Sequence, residues 1–272
     1  CNNDLRKVFR LCQFYEGGTV GNKDMLVISA HAADYCTRAG GTIARYKQEG
    51  WRIHIIALTY GARGESGNYW KEHPAGAIDE CEAIRKNETI NAAHHLGAKI
   101  ECLGILDYPL IISAKTLRLL ARRVLDIRPE IILTHWIVDP LNLDHEVTGR
   151  AVIRAVSSAA QLGAFPNTPA HYFPGLYFFE STVPHSEFND FKPDTFIDIE
   201  ETFHIKMEAI RLFKCQPQLD KYYMHFATHR GFQATDWAKR PIKYAEAFKR
   251  YFPHVGTMFT TIDRKDHPEQ KT

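Results

Sequence analysis

The chain has no Cys-x-x-Cys pair, no apolar run long enough to span a membrane and almost no net charge. Its six cysteines (Cys1, Cys12, Cys36, Cys81, Cys102 and Cys215) are irregularly spaced and fit neither a disulfide framework nor a cysteine zinc site. Reduced core thiols and a cytoplasmic setting are therefore expected. The first two dozen residues carry Lys and Arg without the apolar stretch of a signal peptide behind them. A formal charge of +2, with the cations scattered, argues against nucleic acid or a membrane surface as partner and for a small polar substrate. What the chain does have is 272 residues at 44% hydrophobic content, sufficient for one large α/β domain.

Apolar periodicity predicts strands over 25–30, 52–59, 99–103 and 130–134, alternating with helices over 37–48, 77–96, 114–127 and 145–162. Gly50, Gly97 and Gly163 close three of these helices. Such alternation predicts a Rossmann-like layered α/β fold, its mainly parallel sheet flanked by helices. Beyond Gly163, prolines 166, 169, 174, 184 and 193 punctuate a turn-rich C-terminal part with strand-like runs at 175–180 and 195–199 and helices at 200–213 and 241–251. One domain over 1–272 is expected, with an N-terminal extension at 1–24 and a flexible, solvated tail at 263–272.

The stretch Val27-Ile28-Ser29-Ala30-His31-Ala32-Ala33-Asp34 ends an apolar strand on two metal-type ligands, at the sheet edge where open α/β folds put their chemistry. A metal site wants a third protein ligand and an open position. Asp139-Pro140-Leu141-Asn142-Leu143-Asp144-His145 follows another strand and offers candidates at the same edge. His94 and His95, adjacent on a helix, point about 100° apart and cannot share an ion. His225 and His229 have the spacing of a helical zinc pair, but no Glu follows His225 and the flanking residues match a helix poorly.

These motifs resemble the PIG-L/LmbE-like zinc deacetylase superfamily. Its opening motif, His-Pro-Asp-Asp-Glu, uses the first His and second Asp as zinc ligands and the first Asp as general base; the base position here is Ala33. Its second motif, His-Pro-Asp-His, matches Asn142, Leu143, Asp144 and His145. The resemblance thus implies zinc, or another divalent metal, on His31, Asp34 and His145, with Asp144 as the neighbour that orients His145. The family's glycine-rich turn and Arg-x-x-Glu helix match Gly61-Ala62-Arg63-Gly64-Glu65-Ser66 and Arg85-Lys86-Asn87-Glu88.

Without a carboxylate at 33, an amide hydrolase would forfeit ~10²–10⁴ in rate. The 4-oxalomesaconate hydratase-like branch departs in this same way. It is similar in His31-Ala32-Ala33-Asp34, Arg38-Ala39-Gly40-Gly41, Gly61 to Ser66, Phe179-Glu180-Ser181 and Phe188-Asn189-Asp190-Phe191. The resemblance implies a metal-dependent hydro-lyase that adds water to an unsaturated oxo-carboxylic acid, 4-oxalomesaconate or its enol tautomer in gallate and protocatechuate breakdown, and a homo-oligomer. Glu65, His171 and His135 are then the candidate proton carriers. Arg63, Arg85 and Asn142 are the candidate contacts for a polycarboxylate substrate. Two other readings stand beside this one: a zinc-dependent de-N-acetylase of an amino sugar or related amide, and a non-catalytic metal-binding protein on the same scaffold.

Overall fold

A computed structural model describes residues 23–182 and 188–258. The expected tail at 263–272 and all but the last two residues of the expected extension at 1–24 lie outside that range. The central strand β1 (Asp24–Ser29) is buried along its whole length. Its side chains alternate between two layers: Met25 and Val27 enter one apolar cluster, Leu26 and Ile28 the other. This two-sided burial is why the strand reads as an unbroken apolar run.

Around it the described strands form one sheet in the order β3-β2-β1-β4-β5-β7-β6. These are β2 (Arg52–Thr59), β3 (Lys99–Ile105), β4 (Ile131–His135), β5 (Gly175–Phe179), β6 (Thr195–Asp198) and β7 (Ala245–Arg250). β1 to β5 pair in parallel, whereas β7 is antiparallel to both β5 and β6. The chain winds outward from β1 through β2 to β3, then returns to the other side at β4. The reversal opens a crevice at the carboxyl ends of β1 and β4, the position where such sheets bind ligands.

One face carries α1 (Asp34–Gln48), α3 (Ile78–His95), α6 (Phe203–Ile210) and α7 (Leu219–Ala238); the other carries α4 (Ala114–Ile127) and α5 (Leu143–Ala159). Short α2 (Gly67–Glu72) follows the β2 turn. Ser113 caps α4 by accepting a hydrogen bond from the Thr116 amide, so this helix starts where its sequence predicts.

Two readings of the C-terminal part are corrected. The segment after Pro241 is strand β7, not a helix: Ala, Glu and Lys favour helix locally, but burial of Ala245, Ala247 and Phe248 between two strands overrides that preference. The region around His225 and His229 is a helix, α7, despite its poor pattern. Its buried positions are Ala227, Arg230, Gly231, Ala234 and Ala238, a face of mostly small residues that lets backbone approach backbone instead of offering a large apolar stripe.

A similar close approach holds α5 against β4. A Cβ at Gly149 would strike the His135 carbonyl oxygen, a backbone atom that cannot swing aside. Gly149→Ala is expected to cost a net ~1–2 kcal/mol, the clash outweighing alanine's better helix propensity. Urea unfolding midpoints check it.

Candidate metal centre

His31 and Asp34 leave the end of β1, with Asp34 opening α1; Glu65 sits in the turn after β2; His145 lies in the first turn of α5, after β4. One ligand atom from each of these four residues comes within 4.8 Å of the other three. His31 Nδ1 is 3.2 Å from His145 Nε2, 3.2 Å from Glu65 Oε1 and 3.3 Å from Asp34 Oδ2. His145 Nε2 is 3.4 Å from Asp34 Oδ1. Gly61, at φ +67°, makes the turn possible: a side chain there would crowd both Glu65 and His31.

Each ring is fixed from behind by a carboxylate. His31 Nε2 lies 3.2 Å from Asp144 Oδ2, and His145 Nδ1 lies 2.8 Å from Asp139 Oδ2. Against the cost of burial, these histidine contacts hold both aspartates below the usual carboxylate range, aided for Asp144 by the Leu110 and Tyr108 amides. An ionised carboxylate only accepts, so each ring must direct its N–H outward and its lone pair into the cluster. Two lone pairs and two carboxylates facing one point need a cation. A proton serves where no metal is bound: although burial opposes it, the Glu65, Asp144 and Asp34 carboxylates raise the His31 pKa well above its ordinary value. The nitrogen and oxygen donors fit a divalent ion, Zn²⁺ first by ligand type.

The ligand set expected from the motifs is therefore brought together, but Asp144 braces His31 rather than His145. Asp139 is the partner of His145, a role that the sequence reading did not assign. The signal for it is an acid in the loop between β4 and the ligand-bearing helix. Asp139 is itself pinned by the Thr182 amide and hydroxyl, at 2.7 and 2.9 Å.

The remaining candidates scatter. His135 lies behind Asp34, its Nε2 accepting the Ala30 amide at 3.0 Å and its ring stacked on His145. Burial, together with the neighbouring His145 ring, pushes its pKa down to about 3, so it stays neutral. It is a wall of the site and does not line the cleft. His171 is bonded through Nε2 to the Pro129 carbonyl, ahead of β4, with the whole strand between it and the cluster. Arg85 is fully buried and committed to Tyr60, Glu88 and Gln216, bracing the β2 turn. Asn142 donates to Glu65 Oε1 at 3.2 Å and so positions that carboxylate. Arg63 is exposed, its backbone amide held by Asp107. His225 and His229 join no metal-type group among the described residues.

In front of the cluster is a cleft of about 240 Å³ lined by Ala33, Asp34, Arg38, Glu65, Gln216 and Tyr222, among others. Ala33, just before α1, and Glu65, in the turn after β2, both line this cleft.

Comparison with known proteins agrees with this architecture. The family model described as GlcNAc-PI de-N-acetylase (PIG-L) matches residues 26–156. Along most of its length the chain is 35% identical to 4-oxalmesaconate hydratase of Pseudomonas putida, covering 90% of this chain and 95% of that one. The chain belongs to the PIG-L family. A crystal structure of the 4-carboxy-2-hydroxymuconate hydratase GalB from Pseudomonas putida KT2440 superposes with a TM-score of 0.83 at 35% identity, covering 88% of this chain and all of that one. The N,N'-diacetylchitobiose deacetylase of Pyrococcus horikoshii shares the PIG-L fold at a TM-score of 0.70 and 20% identity, over 84% of each chain. Among the described residues no helix is long and apolar enough to cross a membrane.

Because an ion bound here would hold the folded chain and not the unfolded one, chelation is expected to lower the melting temperature. At an ion concentration near a thousand times Kd the linked stabilisation is ~4 kcal/mol, or roughly 10 °C at this chain length. Melting with and without a chelator, and after re-addition of Zn²⁺, checks it.

Proposed function

We propose that this protein is a metal-dependent hydro-lyase adding water across the conjugated carbon–carbon double bond of an oxo-carboxylic acid, with 4-oxalomesaconate or its enol tautomer as the substrate to try first. The observation that carries the reading is the exchange of carboxylates at the cleft: Ala33 where amide hydrolysis would need its base, Glu65 facing the same space from the β2 turn. The similarity to a hydratase over nine-tenths of the chain supports it.

His31, Asp34 and His145 would hold a divalent ion, which when bound would supply Lewis-acid polarisation of a keto or enol oxygen. Glu65 takes the proton from the attacking water and returns it to the neighbouring carbon, one carboxylate serving both transfers. Asn142 fixes Glu65 Oε1 for that task. Asp139 and Asp144 hold the two imidazoles in the tautomers described above. His171 and His135 take no part. The reading carries with it a small polycarboxylate substrate, a single domain, a homo-oligomer and a cytoplasmic place in aromatic-acid breakdown.

The test is paired. Protein loaded with Zn²⁺, and separately with Mn²⁺ or Fe²⁺, is expected to remove the ultraviolet absorbance of the conjugated acid and to release no acetate from N-acetylglucosamine derivatives. Acetate release without hydration assigns the chain to the de-N-acetylases instead.

A further inference from the structure

Three buried cations stand along the wall behind the cleft, and two glutamates face them. Lys206 Nζ lies 2.6 Å from Glu246 Oε1. Arg230 grips Glu180 with two parallel bonds, Nε to Oε1 at 2.7 Å and Nη2 to Oε2 at 2.6 Å. Both glutamates are thereby spent. The third cation, Arg38, is left with a main-chain acceptor: its Nη1 donates to the Glu180 carbonyl. Its Nε sits 3.6 Å from Asp34 Oδ1, and that buried N–H has no hydrogen-bond partner. No hydrogen bond from Nη2 to a described residue is formed. Asp34 in turn accepts the His31 amide at 2.7 Å and belongs to the metal-ligand cluster, so its charge is shared elsewhere.

A guanidinium does not shed its proton, and a buried N–H left without a hydrogen-bond partner is costly. Arg38 nevertheless lines both the 240 Å³ cleft and a smaller cavity of about 30 Å³ behind it, the latter also walled by Lys206 and Arg230. The arginines expected to meet a substrate do not compete for this role, since Arg85 is saturated and Arg63 is not among the cleft-lining residues.

We infer that the Nε/Nη2 edge of Arg38 is the docking group for a carboxylate of the ligand, completing as a two-point fork the hydrogen bonding that the 3.6 Å ion pair with Asp34 leaves unmade. The inference rests on the hydratase reading and deepens it: the substrate is an acid with a free carboxylate on the Asp34 side of the cleft. Arg38 is here a binding and specificity residue, not a proton carrier.

The test uses full-length, metal-loaded protein, with 2-oxoglutarate as a calorimetric probe and 4-oxalomesaconate as substrate. Arg38→Gln is expected to weaken 2-oxoglutarate binding by roughly 30-fold or more, the loss typical of one partner of a buried charge pair. KM for the substrate is expected to rise in parallel with kcat changed only a few-fold, and metal content to stay the same. Arg38→Lys, which keeps the charge but not the fork, is expected to recover part of the affinity, and it answers the question if the Gln variant does not fold. Wild-type binding and KM in either folded variant overturn the docking assignment and leave the hydratase reading standing. Arg38-dependent binding of 2-oxoglutarate without any hydration keeps the docking site and removes the hydratase reading. A wild-type protein that neither binds the probe nor hydrates the acid removes both.

Discussion

Glu65→Gln is expected to slow hydration by ~10²–10⁴ while the protein keeps its metal, the loss typical of removing a general base. The substitution is nearly isosteric, so the turn after β2 and the contact from Asn142 should survive it. What it removes is the ability to take a proton from water. The geometry makes the outcome informative, because Glu65 Oε1 stands 3.2 Å from His31 Nδ1 and 3.8 Å from His145 Nε2, close enough to be a ligand instead of a base. Steady-state rates and metal analysis on the same preparation separate the two roles. Activity lost with metal retained identifies a base; activity and metal lost together identify a fourth ligand. Unchanged turnover excludes Glu65 from the chemistry. His145→Ala, by contrast, is expected to lose metal and activity together.

Lys206→Met should produce the largest loss of stability, about 3–5 kcal/mol, because it strands a buried carboxylate. Lys206 and Glu246 are each almost wholly inaccessible, and their contact links α6 to β7. Glu246 also accepts the amides of Gly41 and Thr42, at 3.0 and 2.8 Å, and so fastens the middle of α1 to the sheet. The same helix carries Asp34 and Arg38, so this loss should loosen the site as well as the core. Urea unfolding gives the magnitude. The double variant Lys206→Met with Glu246→Leu is expected to be less destabilised than Lys206→Met alone, since no unpaired charge remains. Equal stability of the single variant and the parent would show the pair to be idle.

The parallel half of the molecule is largely legible in the sequence. The limits of β2 and α4 coincide with those read from periodicity, and the other parallel strands and their helices shift by only a few residues. Elements such as β1, buried on both faces, and α4, with one buried stripe, leave a periodic trace in their own sequence. In the C-terminal part, β6 and α6 match the runs read at 195–199 and 200–213, but β7 and α7 left no such trace. β7 is built from helix-favouring residues, and α7 packs through alanines and a glycine, so local preference pointed the wrong way in both. The candidate site divides along the same line. His31, Asp34 and His145 follow strand ends and were identified from motif resemblance, and here their donor atoms converge. His171 lies in a loop whose course no local pattern records, and it runs to the opposite edge of the sheet, against the Pro129 carbonyl.

The sequence by itself determined the layered α/β fold, the edge of the sheet that carries the candidate site and the alanine at position 33, because these depend on residue order and periodicity within single segments. Only the tertiary structure decided which carboxylate braces which imidazole, that Arg85 is consumed as a brace, and that Arg38 is a buried cation whose carboxylate neighbour, Asp34, belongs to the metal-ligand cluster and leaves its Nε without a hydrogen bond. Those are properties of charges brought together from distant segments: Asp139 reaches Thr182, Arg230 reaches Glu180 and Lys206 reaches Glu246. Whether a buried charge is already paired depends on every chain segment packed around it, and no local pattern records that.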